Sequence, residues 1–254
     1  MATGHSGNLR SLGGIAMSLC ACLLGFVGPV GSARAQSAPP TAAVVPYRPA
    51  PPLRSYVAIR RLESSNERHH KDAWLVARTE LHDNGTFSYQ IIDEGGSELI
   101  RSRVLREALE KEVQVHRDGR ARRGGLTLDN YEFSTPTQAD GGLRIALQPK
   151  RREDMLLKGA MFTSSDGELL RVEGELVKRP SFWTRSVHIV RQYGRVAGEH
   201  VPVRLDMTAQ VRLVGPSRLT VTYQYVQING RPVQEILTGE PTGSARVASR
   251  APQD

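Results

Sequence analysis

The run Val203–Tyr225, VRLDMTAQVRLVGPSRLTVTYQY, decides the fold class. Val203, Leu205, Met207, Ala209, Val211 and Leu213 alternate with Arg204, Asp206, Thr208, Gln210 and Arg212. After Val214-Gly215-Pro216-Ser217 the same rhythm returns in Leu219, Val221, Tyr223 and Tyr225. Successive strand side chains point to opposite faces, so each run has one apolar and one wet face. Two such runs joined by a Gly-Pro turn predict neighbouring antiparallel strands in a sheet covered on one side.

The pattern extends outward from there. Phe87, Tyr89 and Ile91 alternate with Ser88 and Gln90, and Leu143, Ile145 and Leu147 with Arg144 and Ala146. Asp83-Asn84-Gly85 reads as a hairpin turn in which both centres tolerate positive φ, and Ser165-Asp166-Gly167 reads similarly. The count is nine to eleven strands.

One helix interrupts them, over residues 97–115. Ser97 follows Gly95-Gly96 and is expected to cap it, Ile100, Val104, Leu105, Ala108 and Leu109 form its apolar stripe, and Arg117-Asp118-Gly119 stops it. That stripe has the sheet's apolar face to lie against. The expectation is mainly β (α+β), an antiparallel sheet with one amphipathic helix over its apolar face.

At the start, Arg10 precedes an uncharged stretch from Gly13 to Val30, and Ala33-Arg34-Ala35 has the form of a cleavage site. Residues 1–35 are therefore expected to be a cleavable signal peptide, giving a periplasmic or secreted protein processed near Ala35. Both cysteines, Cys20 and Cys22, fall inside it, so disulfides and thiolate chemistry are excluded from the mature chain. Residues 36–52 hold six of the fifteen prolines and read as a linker. Residues 53–230 form the domain, and 231–254 lack periodicity and read as a flexible tail.

Loss of residues 1–35, which carry Arg10, Arg34 and no acidic residue, lowers the net charge from +8 to +6. The surplus gathers in Arg117, Arg120, Arg122 and Arg123 after the helix, and in Lys150, Arg151 and Arg152 after a strand. Solvated loop charge is the plain reading; docking to lipid phosphates or an acidic envelope protein is the functional one. Aromatics at 6% and the expected export argue against nucleic acid.

The remaining candidates are weaker. His69-His70 point opposite ways if on a strand and sit between Arg68 and Lys71, so no metal is expected. Glu173 and Glu175 share a face at a spacing near that of glycosidase carboxylates. Arg171 shares it too, with Leu170, Val172 and Leu176 opposite, which reads as a solvated surface. No nucleophile elbow, phosphate loop or metal-binding helix is present. The expectation is no enzyme, no catalytic residue and no cofactor.

Residues 161–230 resemble the second half of the outer-membrane lipoprotein-sorting (LolA/LolB-like) superfamily. The resemblance is carried by Asp166-Gly167, by Leu170-Arg171-Val172-Glu173-Gly174, and by Tyr193, Gly198 and Val201-Pro202 ahead of the two long strands. It implies a strongly curved, half-open barrel with helix over an apolar concave face, binding lipoprotein acyl chains or related hydrophobic ligands without covalent chemistry. Unlike the carriers, this chain has the proline-rich residues 36–52 where an amphipathic helix would follow the signal. In such a cavity Phe87, Tyr89, Ile91, Val203, Leu205, Met207, Val211, Val221 and Tyr223 would line the concavity under a lid of Ile100, Val104, Leu105 and Leu109. The same residues could instead form a closed core, in a periplasmic regulatory or scaffold protein that binds a protein partner.

Overall fold

The computed structural model describes residues 53–233 apart from 140 and 183. The expected signal peptide, the linker up to residue 52 and the tail beyond 233 lie outside the described residues. The chain folds as β1 (Tyr56–Asn66), β2 (Lys71–Leu81), β3 (Phe87–Gly96), a helix α1 (residues 98–117), then β4 (Tyr131–Phe133), β5 (Thr137–Ala139), β6 (Gly142–Pro149), β7 (Leu157–Ser164), β8 (Leu169–Leu176), β9 (Thr184–Val196), β10 (Glu199–Val211), β11 (Gly215–Ile228) and β12 (Arg231–Pro232). All strands join one antiparallel sheet ordered β3-β2-β1-β11-β10-β9-β8-β7-β6-β4, with β5 on β6 and β12 on β11. The path does not close: β3 and β4 are its two ends, and α1 is the connection between them. Arg231 and Pro232 extend the sheet just past the expected boundary at 230.

Alternation places Leu62, Leu75, Ala77, Leu205, Met207, Val211, Leu219 and Val221 on the inner face, where they pack against Ile100, Leu105, Ala108 and Leu109 of α1. Each such leucine, isoleucine, valine or methionine taken from water contributes about 1.5–3 kcal/mol, which fixes the helix on this half of the sheet. The other half, with Ile145, Leu147, Leu157, Met161 and Val172, is closed by Leu126 and Tyr131 from the segment after the helix. Tyr131 anchors that cover by accepting the Leu157 backbone N–H at 3.2 Å, and burial pushes its hydroxyl up to about 12. One helix therefore roofs only part of the sheet.

Between the two halves, Gly159 of β7 faces Gly174 of β8. A Cβ on Gly159 would come 2.0 Å from the Glu173 carbonyl and 2.5 Å from the Gly174 Cα. The strands approach this closely because neither position carries a side chain.

Five bulges break the strict alternation, one of them at Arg185 in β9. In the other four, Ile92, Leu170, Val203 and Val226 are the extra residues, at the register shifts in β3, β8, β10 and β11. Leu170, expected opposite the carboxylates with Val172, is exposed as a result, and Val203 is only half-buried beside the core that takes Leu205. Leu213, expected to continue the apolar series, lies past the end of β10 with φ +69° and is 71% exposed. The β2–β3 loop spans residues 82–86; only Gly85 has positive φ, at 81°, while the Asn84 side chain accepts the Thr86 N–H at 2.9 Å. Ser97 makes no side-chain cap; its backbone N–H instead donates to the Asp72 carbonyl at 2.8 Å.

Candidate functional site

Helix α1 is not uniform. It is α-helical at Glu98–Ile100, opens into a π turn at Arg101–Arg106, and returns to α at Glu107–Arg117. A π turn repeats at i+5, so Arg101 and Arg106 fall on one side. Both guanidiniums grip Glu94, Arg101 at 2.8 Å. Glu94 reaches the inner face only because the Ile92 bulge reverses the parity of β3. Two matched irregularities thus dock the first half of the helix. The hydrogen bond from Arg106, with the charge of both arginines, holds the Glu94 carboxyl below its ordinary pKa.

The second half is docked by a buried ion pair. Arg60 of β1 lies on the inner face and donates to the Glu112 carboxylate at 2.7 Å, with side chains 3% and 4% exposed. The rings of Tyr56, Phe87 and Tyr223 surround its guanidinium with centroids 4.7–5.5 Å away, and Arg60 also donates to the Tyr56 hydroxyl. Burial works against the Arg60 charge, yet Glu112 with the tyrosines more than offsets it and holds its pKa well above the ordinary value. Arg191 of β9 is a further charged side chain buried on this face.

Among the described residues, this packing leaves an apolar opening at the N-terminal end of α1. A cleft of roughly 320 Å³ lies between Leu99, Ile100 and Val104 on the helix and Val214 and Leu219 at the start of β11. Lys71, Arg103 and Arg218 stand at its rim.

The structure places the sequence-derived cavity residues elsewhere. Leu205, Met207, Val211 and Val221 belong to the sealed core beneath α1, with Tyr223 and Ile91 packed against it. Phe87 is covered by the stacked His116 ring at 5.4 Å, and the Tyr89 hydroxyl donates to Glu110. None of these, nor Val203, lines the cleft; of the lid residues Ile100 and Val104 do, while Leu105 and Leu109 are buried in the core. The sequence reading has Leu219 only in a strand's alternation and omits Arg60 and Glu112. A signal for the last two was present: Arg60 keeps the phase of Ala58 and Leu62, and Glu112 the spacing of Leu105, Ala108 and Leu109.

Of the two basic groups, only members of the first line a second hollow. Arg120 and Arg123 share it, at roughly 220 Å³, with Glu153, Asp154 and Lys178. Arg117 and Arg120 lie near Asp118, at 3.9 and 3.1 Å, and Arg122 is exposed. Arg151 is tied to Glu153 at 2.8 Å and Arg152 to the Val177 carbonyl at 3.3 Å, while Lys150 is exposed. His69 and His70 occupy the exposed β1–β2 turn, and no metal-binding cluster exists among the described residues. Glu173 pairs with Arg171 at 3.1 Å on the outer face. No helix of the described residues is long and apolar enough to cross a membrane.

No protein-family model matches the sequence, and no curated protein does. Among solved structures, a DUF1329 family protein from Desulfovibrio piger is similar at a TM-score of 0.33 and 8% identity, over 68% of this chain and 84% of that one. A likeness this shallow identifies neither a family nor a ligand.

Proposed function

We propose that the protein is an exported, non-enzymatic binding protein of the lipoprotein-carrier type, holding a lipid, an acyl chain or another hydrophobic ligand. The observation that carries this reading is the apolar cleft between α1 and the start of β11. A binding site of this kind needs an enclosed apolar wall and few polar groups. Each methylene buried there would contribute about 0.8 kcal/mol. At roughly 320 Å³ the cleft lies at the small end of ligand sites, which suits one chain rather than the several of a lipoprotein. Arg10, the uncharged residues 13–30 and Ala33-Arg34-Ala35 support export.

The test is native mass spectrometry of the gently purified protein, followed by titration with a fluorescent fatty acid. A bound mass displaced by the probe supports the reading; a clean protein mass with no probe binding overturns it. A second reading, a periplasmic regulatory or scaffold protein with a protein partner, is favoured by the sealing of Leu205, Met207 and Val221 beneath the helix, and would give that clean mass.

A further inference from the structure

In this sheet the β1–β2, β6–β7, β8–β9 and β10–β11 turns leave from one end, because successive antiparallel turns alternate and Asn66 pairs with Ser217. Side chains link them into a continuous rim. Arg152 donates to the Val177 carbonyl and Lys178 pairs with Asp154, joining the β6–β7 and β8–β9 turns. The Arg212 guanidinium lies over the Phe182 ring at 4.8 Å, joining β8–β9 to β10–β11. Arg68 donates to the Leu213 carbonyl at 2.9 Å, joining that turn to β1–β2.

Charge is segregated between the two ends. The rim carries Arg68, Lys71, Lys150, Arg151, Arg152, Lys178, Arg179, Arg212 and Arg218. Three of these cations are matched by carboxylates, Arg151 by Glu153, Lys178 by Asp154 and Arg218 by Glu67. The turns at the other end, residues 82–86, 165–168, 197–198 and 229–230, hold Asp83, Asp166 and Glu168 and no lysine or arginine. Of the strand-end cations beside them, Arg195 and Arg231, the first is paired with Glu168. Two large apolar side chains stand among the rim cations, Phe182 at 74% and Leu213 at 71% exposure. Leu213 is held outward by a left-handed backbone that a leucine rarely adopts.

We infer that this rim is a docking face for an anionic phospholipid bilayer, its cations lying among the phosphates and Phe182 and Leu213 entering the acyl boundary. Cations alone would suit any polyanion. The protruding leucine gains nothing from an acidic protein surface or a nucleic acid, whereas at a headgroup–acyl boundary charge and apolar burial act together. The cleft at the N-terminal end of α1 is lined by His69 and Val214 of the same turns and by Lys71 at the start of β2, so it opens onto the docked face. The inference does not depend on the cleft being filled.

The experiment is flotation of the protein, purified as the cell processes it, with vesicles of phosphatidylcholine alone or mixed in equal parts with phosphatidylglycerol. Binding is expected on the mixed vesicles only, weakening as salt rises. Lys150→Glu and Arg179→Glu should each lower it roughly five-fold or more. Leu213→Asn, which suits the positive φ, and Phe182→Ser should lower it with folding unchanged by circular dichroism. Arg231→Glu, at the opposite end, should leave it unchanged. Equal binding to both vesicles, indifference to the rim substitutions, or an equal loss in Arg231→Glu overturns the inference. Fatty-acid titration of the same variants reads the cleft separately, so failure of one proposal is distinguishable from failure of the other.

Discussion

Arg60 and Glu112 join strand to helix at 2.7 Å in a space almost sealed from water. Breaking such a pair strands a charge in the interior, at a cost of about 3–5 kcal/mol. Glu112→Ala should therefore lower stability by about that amount in urea unfolding, while Arg60→Met with Glu112→Leu recovers most of it. A double variant as unstable as the single one would show that the aromatic box around Arg60, rather than the pair, holds the helix.

Glu94 gives the fold an acid-sensitive clamp. Its folded pKa lies below the ordinary value because Arg106 and Arg101 hold the carboxylate. A depressed carboxyl stabilises the fold fully above the unfolded pKa, about 4.3, and loses that contribution as pH falls through the folded value. Thermal midpoints measured from neutral to acid pH should show wild type above Glu94→Gln at neutrality, the gap closing in acid. A gap that stays constant with pH would remove Glu94 from this role.

Gly174 faces Gly159 at the junction of the two cores. A Cβ on Gly174 would stand 2.4 Å from the Lys158 carbonyl and 2.9 Å from the Gly159 Cα. Gly174→Ala should force the strands apart and cost about 3 kcal/mol or more, at or above the top of the ordinary overpacking range, because backbone must yield. Chemical denaturation checks it, with exposed Lys158→Ala as the comparison.

Core and cleft should separate in mutation. Leu205 is fully buried, so Leu205→Ala should cost about 2–5 kcal/mol. Val104 borders the cleft, so Val104→Trp should fill it and weaken fatty-acid probe binding about tenfold, or ~1.4 kcal/mol, with little change in Tm. A Val104→Trp variant that binds the probe unchanged would place the ligand elsewhere.

The alternation of Leu205, Met207, Ala209 and Val211 against charged neighbours made the sheet readable, and Ile100, Leu105 and Leu109 made the helix readable. Bulges were not readable. Each adds one residue and reverses parity without any compositional mark, so Leu170, Val203 and the reach of Glu94 were misjudged or missed. A two-residue period also cannot distinguish a wall facing a cavity from one facing a helix. The cleft arises from the π turn and the β10–β11 turn, which depend on tertiary packing rather than on local pattern.

The uneven charge of the two sheet ends has a kinetic meaning. A body positive at one pole carries a lasting dipole moment, and near a negatively charged plane it experiences a torque before any atoms touch. Within about 8 Å at physiological ionic strength, that torque turns the cation-bearing pole forward, so encounters become productive more often than random tumbling allows.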